Sequence, residues 1–181
     1  MTESASTATP AVTPGTYRLD PSRSTIRADV KAMFGLITVH GTFRLQSGEV
    51  TIAEDGARSS VRATIDATSF SSGNATRDKD VVSPALLDAS AYPEITFTGE
   101  GARPQGTEWV VPGSVTVRGV AVPTDLRMDE VRNEDSVIRF HAVANLDRTQ
   151  FGVTKKKGMV GQNVALAIEA VAVPAEQGGP R

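Results

Sequence analysis

The sequence predicts an all-β fold of eight or more antiparallel strands with one short helix in a loop, and three observations predict it. Branched aliphatics dominate, with 21 Val and 7 Ile against 8 Leu and 19 Thr besides. Such side chains suit a pleated, half-buried surface and are mediocre in helices. Apolar and polar residues alternate with a period of two along nearly all of residues 16–173, the pattern of strands with one buried face. Turn-forming pairs punctuate these runs at hairpin spacing.

The first fifteen residues, MTESASTATPAVTPG, are too poor in apolar surface to offset the entropy of ordering, which predicts a flexible tail over 1–15. They hold no basic stretch and no apolar run, so they do not read as a secretory leader, and a cytoplasmic protein is expected. Within 24–34, Ile26, Ala28, Val30 and Ala32 alternate with Arg27, Asp29 and Lys31; within 36–45, Ile37, Val39, Phe43 and Leu45 alternate with Thr38, His40, Thr42 and Arg44. Val50/Ile52 continue the pattern, followed by Val61/Ala63/Ile65/Ala67 opposite Arg62/Thr64/Asp66, then Ile95/Phe97, Val115/Val117 and Leu126/Met128. Ile138/Phe140/Ala142/Ala144/Leu146 and a last strand from Val164 to Val173 complete it. Ser47-Gly48, Asp55-Gly56, Gly99-Glu100-Gly101, Pro112-Gly113 and Asn133-Glu134-Asp135 read as turns. The stretch Ser83 to Ala91 reads as the helix, with a cap-type Ser83, Pro84 at its first position and a forced stop before Pro93. Polar Ser71 to Asp80 then reads as the loop that carries this helix across one end of the sheet. PAEQGGPR from Pro174 forms a second flexible tail, leaving one domain over 16–173 between 1–15 and 174–181.

So many antiparallel strands must stack as two sheets or close into one. Small inward candidates (Ala28, Ala32, Ala63, Ala67, Ala142, Ala144) and only nine aromatic residues favour a barrel, since a solid sandwich core needs bulkier side chains to reach interior density. An eight-stranded barrel sits at the size where side chains fill the interior or leave space for one small ligand. A barrel whose alanines are opposed by Phe and Leu is the filled alternative.

Composition removes several function classes. Nineteen basic against 21 acidic side chains give a net charge of -2, so no field draws the chain onto nucleic acid. No run approaches the ~20 apolar residues of a membrane-spanning helix. With no cysteine there is no disulfide scaffold or thiolate chemistry. His40 and His141 are the only imidazoles, and both sit among polar-face residues where solvation explains them better than catalysis. No motif for a metal, a phosphate loop or a nucleophile elbow occurs, and no cofactor is implied. Asn74-Ala75-Thr76 matches a glycosylation acceptor by coincidence of two residues. Arg77-Asp78 reads as a local ion pair. Lys155-Lys156-Lys157, near Arg148 in sequence, reads as a solvated loop unless it rims a cavity mouth, where it can hold an anionic head group.

Several segments, in order through the chain, resemble the YceI-like family. They are Tyr17-Arg18-Leu19-Asp20-Pro21 with Ser24, Val39-His40-Gly41-Thr42-Phe43 with Gly48, Arg77-Asp78, Tyr92-Pro93-Glu94-Ile95-Thr96-Phe97, Gly113 to Val120, and Asp147-Arg148-Thr149-Gln150-Phe151-Gly152-Val153. The resemblance implies a lipocalin-like barrel whose lumen takes a long isoprenoid tail, as of a quinone or a polyprenyl phosphate. Two departures stand out: many relatives carry a cleaved leader, and many carry a His where this chain has Ala32. On this reading the partner is a long-chain isoprenoid or other apolar lipid, held by a carrier or sequestering protein without stable membrane insertion. Val30, Phe34, Phe43, Ile65, Phe97, Phe140 and Phe151 line the lumen, and Leu86 and Leu87 of the short helix cover one end. Arg148, Lys155, Lys156 and Lys157 are the head-group candidates. Two competing readings make their own demands. An enzyme would turn His40 or His141 inward beside Asp66, and a ligand-free, stress-linked or interaction protein would have no continuous void. A homodimer through an outer face stays open.

Overall fold

The computed structural model describes residues 12–154 and 160–175. Ten strands occur among them: β1 (Gly15–Leu19), β2 (Thr25–Ala32), β3 (Ile37–Ile52), β4 (Ser60–Ser71), β5 (Glu94–Glu100), β6 (Arg103–Gln105), β7 (Glu108–Val117), β8 (Val120–Glu134), β9 (Val137–Asp147) and β10 (Val160–Pro174). All pairings are antiparallel, in the ring order β10-β2-β3-β4-β5-β7-β8-β9, and β9 pairs with β10 to close an eight-stranded barrel. Closure removes the sheet edges that an open antiparallel sheet would expose.

Ten strands fill eight positions because two positions are divided. β1 lies between β10 and the second half of β3, and β2 lies between β10 and the first half. Asp20-Pro21 makes the division. The Asp20 carboxylate accepts from Ser22 N (2.9 Å), Ser22 Oγ (2.8 Å) and Arg23 Nε (2.9 Å), and these bonds, Arg23 foremost, hold its pKa down to about 2. Asp20 N donates to Val171 O, and Val171 N donates to Ser24 Oγ at 3.1 Å, so the interruption remains stitched to β10. β6 likewise extends the position of β5 along β7.

Two expected turns lie inside strands. Ser47-Gly48 falls in the middle of β3, beside the register shift between Leu45 and Ser47. That bulge moves the inward face from odd to even residues, so Val39, Phe43 and Leu45 share it with Val50 and Ile52. A Cβ on Gly48 would stand 2.5 Å from Leu19 Cδ1, which explains the glycine by close approach. Pro112-Gly113 lies within β7, where a Cβ on Gly113 would collide with the Phe97 ring.

The helix is displaced from its expected place. α1 spans Ala75–Val82, in the stretch read as a loop, whereas 83–91 forms successive turns. The Asn74 side chain accepts from Arg77 N at 2.9 Å as the N-cap, which gives that residue a structural reason. Ser83 closes the helix rather than opening it, because Pro84 has no N–H and cannot continue an α-helical turn. Leu86 N and Asp88 N both donate to Ser83 O, and Asp88 sits at φ +51. Arg77 and Asp78 converge on Ser72: Asp78 accepts from its N and Oγ, and Arg77 Nη1 donates to its Oγ at 3.2 Å.

Hydrogen bonds continue just outside the first and last strands. Tyr17 OH donates to Thr13 O (2.6 Å), and Ala175 N donates to Thr16 O. The remainder of both expected tails, 1–11 and 176–181, lies outside the described residues.

Candidate functional site

The inner faces of the strands enclose a cavity of about 640 Å³, within the range of small-molecule sites. At about 30 Å³ per water-sized group it has room for on the order of twenty carbon-sized groups. The cavity exists because Ala28, Ala63, Ala142, Ala144 and Ala170 stand on the wall where longer side chains would meet across the barrel. Packed groups flank it. Tyr17, Leu19, Ile26, Leu45, Val50 and Ile138 form one cluster, and Leu86, Phe97, Val115, Val117, Phe151 and Val153 form the other.

Val30, Phe43, Ile65, Leu86, Leu87, Phe97, Phe140 and Phe151 all stand on the cavity wall. Phe34 does not. β2 ends at Ala32, and Phe34 lies in the tight turn to β3 with 76% of its surface exposed; two more strand residues would have been needed to aim it inward. Leu86 and Leu87 reach the wall from turns instead of a helix, held by Leu87 N donating to Val81 O. Arg118 Nη1 donates to Leu86 O (3.2 Å) and Gly152 O (3.3 Å), which ties those turns to the segment after β9.

Sequence reasoning missed Phe70 and Trp109, which also line the cavity. The Phe70 ring lies 5.2 Å from that of Phe43 at 57° and covers Gly41, which has no Cβ to obstruct it. Phe70 follows a register shift in β4, so simple alternation from Ile65 assigns it wrongly. The signal available was the apolar ring itself between Ser69 and Ser71.

Several polar groups on the wall already have partners. Thr124 Oγ1 donates to Val122 O at 3.0 Å, and Ser24 Oγ accepts from Val171 N. Among the described residues no buried side-chain nitrogen or oxygen lacks a hydrogen bond. Arg148 is buried on the wall, with Nε donating to Gly161 O (2.8 Å), Nη1 to Val153 O (2.8 Å) and Nη2 to Val160 O (2.9 Å); burial lowers its pKa. Lys155, Lys156 and Lys157 lie outside the described residues. A ligand in this cavity therefore meets apolar contact and few unspent hydrogen bonds, an environment that binds by area rather than direction.

Both imidazoles lie on the outer surface. His40 Nδ1 is 2.7 Å from Asp29 Oδ1, and His141 Nδ1 is 2.6 Å from Asp129 Oδ1. Asp66 accepts from Thr68 N and Oγ1, so the inward His–Asp66 pair that the enzyme reading demands is not formed. Among the described residues no group of three or more His, Asp or Glu side chains is placed to hold a metal ion. None of their helices is long and apolar enough to cross a membrane.

His141 sits in an outer cleft with Arg23, Glu130, Arg132, Arg139 and Glu169. Asp129 raises its pKa above 6.5 by hydrogen bonding, with Glu169 and Glu130 adding charge and partial burial opposing. A raised folded-state value favours the protonated form, so this stabilisation is full below pH 6.5 and lost as pH rises through the folded pKa. The pair is partly exposed, so its contribution stays within the range of surface ion pairs, at most about 1 kcal/mol. Urea unfolding across this pH range should show a small fall in stability that His141→Gln removes; an unchanged slope in the variant would refute the assignment.

A YceI-like domain model matches residues 17–172. The Protein YceI of Escherichia coli O157:H7 is 29% identical over 145 residues, covering 77% of this chain and 76% of that protein. The crystal structure of Burkholderia cenocepacia BcnA superposes with a TM-score of 0.77 at 25% identity, over 86% of this chain and 99% of that one. A polyisoprenoid binding domain from Saccharophagus degradans implicated in plant cell wall breakdown gives 0.64 at 14% identity, over 87% and 98%.

Proposed function

The chain belongs to the YceI-like family, and from that premise we propose that it binds a long isoprenoid-type lipid, a quinone tail or a polyprenyl phosphate, in the barrel lumen as a carrier or sequestering protein. The observation that carries the reading is the apolar cavity of about 640 Å³ lined by residues from all eight strand positions. The description of the Saccharophagus degradans domain as polyisoprenoid-binding supports the same cargo class. Each five-carbon unit buried dry contributes on the order of 4 kcal/mol gross, at about 0.8 kcal/mol per carbon group. Three or four units then outweigh the several kcal/mol of lost freedom. Val30, Phe43, Ile65, Phe97, Phe140 and Phe151 supply tail contacts, with Leu86 and Leu87 at one end. Arg148, its donors engaged by main-chain carbonyls, acts on a head group through positive potential alone.

A continuous void weighs against the packed, ligand-free barrel. Native mass spectrometry of protein purified without detergent, then incubated with a long-chain polyprenol, should show a one-to-one lipid adduct. Repeated failure to find or load any long-chain lipid would overturn the reading.

A further inference from the structure

The turn between β2 and β3 carries apolar side chains that are exposed instead of packed on the barrel. Gly35 N donates to Ala32 O and Leu36 N to Met33 O, both at 3.1 Å. Met33, Phe34 and Gly35 follow one another at φ +54, +57 and +88. Such left-handed positions in hairpin turns favour Asn, Asp and Gly, and bulky side chains there are strained. The β7–β8 turn shows the contrast: it has Arg118 at φ +55 and Gly119 at φ +76, and Arg118 bonds two carbonyls. In the β2–β3 turn Phe34 is 76% exposed, Leu36 81% and Met33 49%, and Ile37, the first residue of β3, is 45% exposed. A Cβ added at Gly35 would meet nothing within 4 Å, so the tip projects into open space. Strain and exposure without internal packing point to a partner outside the barrel.

We propose that Met33 to Ile37 is a docking finger that seats in the surface of a phospholipid bilayer. The four side chains offer about 400 Å² of apolar area, roughly half of what each partner brings to a stable protein interface. They sit on a narrow convex tip, which a protein would have to match with a pocket and an acyl-chain boundary need not. From Val30 to Val39 the only charged residue is Lys31, exposed and cationic, and the next carboxylate, Asp29, is held by His40 and Arg27. The flank therefore suits anionic head groups. Val30 and Val39 pair across the hairpin and line the cavity, so a seated finger brings the cavity wall to the lipid surface. The preference for a lipid surface leans on the cargo proposed above, and the test keeps the two apart.

Cargo-free protein is floated with vesicles of phosphatidylcholine, alone or mixed with phosphatidylglycerol, and compared with the triple variant Met33→Asn, Phe34→Gly, Leu36→Ser. The wild type should float, more strongly on anionic vesicles. The variant should partition at least about tenfold less, given the apolar area it removes. Its melting temperature should hold or rise, because Asn and Gly suit the left-handed positions. Wild-type protein left in the aqueous fraction with both vesicles, or a variant that floats equally, would overturn the proposal. So would a concentration-dependent dimer that the same variant abolishes while neither protein floats, since that assigns the finger to a second copy. Loading with a polyprenol added from solution is measured in parallel: loading without flotation removes the finger and leaves the cargo, and flotation without loading does the reverse.

Discussion

Ala142→Trp should lower affinity for a long isoprenoid tail by two orders of magnitude or more while leaving the barrel folded. Ala142 lies midway along β9, paired with Ile168 of β10 and Met128 of β8, and its methyl group faces the cavity. An indole adds about nine heavy atoms, which displace close to two isoprene units and remove roughly 7 kcal/mol of gross burial. Even if the tail recovers half of this by shifting along the lumen, about 3 kcal/mol is lost, or a hundredfold in Kd. Stability supplies a second, independent sign. In a solid barrel the added ring is overpacking and costs about 1–3 kcal/mol; in a hollow one it fills space, and stability holds or rises by about 0.5–2 kcal/mol. Titration with a fluorescent polyprenyl probe, paired with urea unfolding, reads both. Undiminished binding would place the tail outside the lumen, and a drop in stability would show that the wall around Ala142 has no room to give.

What was legible in the sequence follows from which signals are local. Alternation along β2, β4 and β9 fixed the inward set Ile26/Ala28/Val30, Val61/Ala63/Ile65 and Phe140/Ala142/Ala144 without knowledge of any neighbour, because the period of two is a property of the extended chain itself. Of the six small residues expected to face inward, Ala28, Ala63, Ala142 and Ala144 stand on the cavity wall, whereas Ala32 and Ala67 do not. Alternation failed where phase is set by pairing: the bulge beside Ser47 and the shift before Phe70 depend on what the partner strand demands. The two glycine turns that became strand interior, Gly48 and Gly113, are small because Leu19 and Phe97 lie against them, a tertiary cause invisible along the chain. Helix placement failed differently. Ser83-Pro84 and Asn74-Ala75 are both legitimate starts, and the second prevails because Asn74 caps Arg77 N and Ser72 anchors Asp78. Phe34 shows the limit at strand ends, where one residue decides between lumen and solvent.

Arg148→Met should cost about 3–5 kcal/mol, at about 1–3 kcal/mol for each carbonyl that loses its donor and stays buried and unsatisfied. Three carbonyls on two segments would lose their donor: Val153 O, and Val160 O and Gly161 O at the start of β10. The local chain has few substitutes. Gly152 at φ +83 closes the turn after β9 with its N–H on Thr149 O, and Asp147 is occupied by Thr149 and Gln162. Freed carbonyls would loosen the beginning of β10 where it joins β2 and β9, so amide exchange over 160–166 should accelerate before the rest of the barrel responds. Arg148→Lys should recover less than half of the loss, since one ammonium on a flexible stem cannot reproduce a planar fork reaching three carbonyls. The variants also separate the two roles open to this residue. If the guanidinium only pins the loop, Arg148→Met weakens a quinone-tailed and a phosphate-headed ligand by the same factor. If its potential reads the head group, the phosphate suffers a further loss of about tenfold, one lost charge interaction in a partly dry site. Equal loss would remove the electrostatic role and leave the pin; unchanged stability in Arg148→Met would remove the pin.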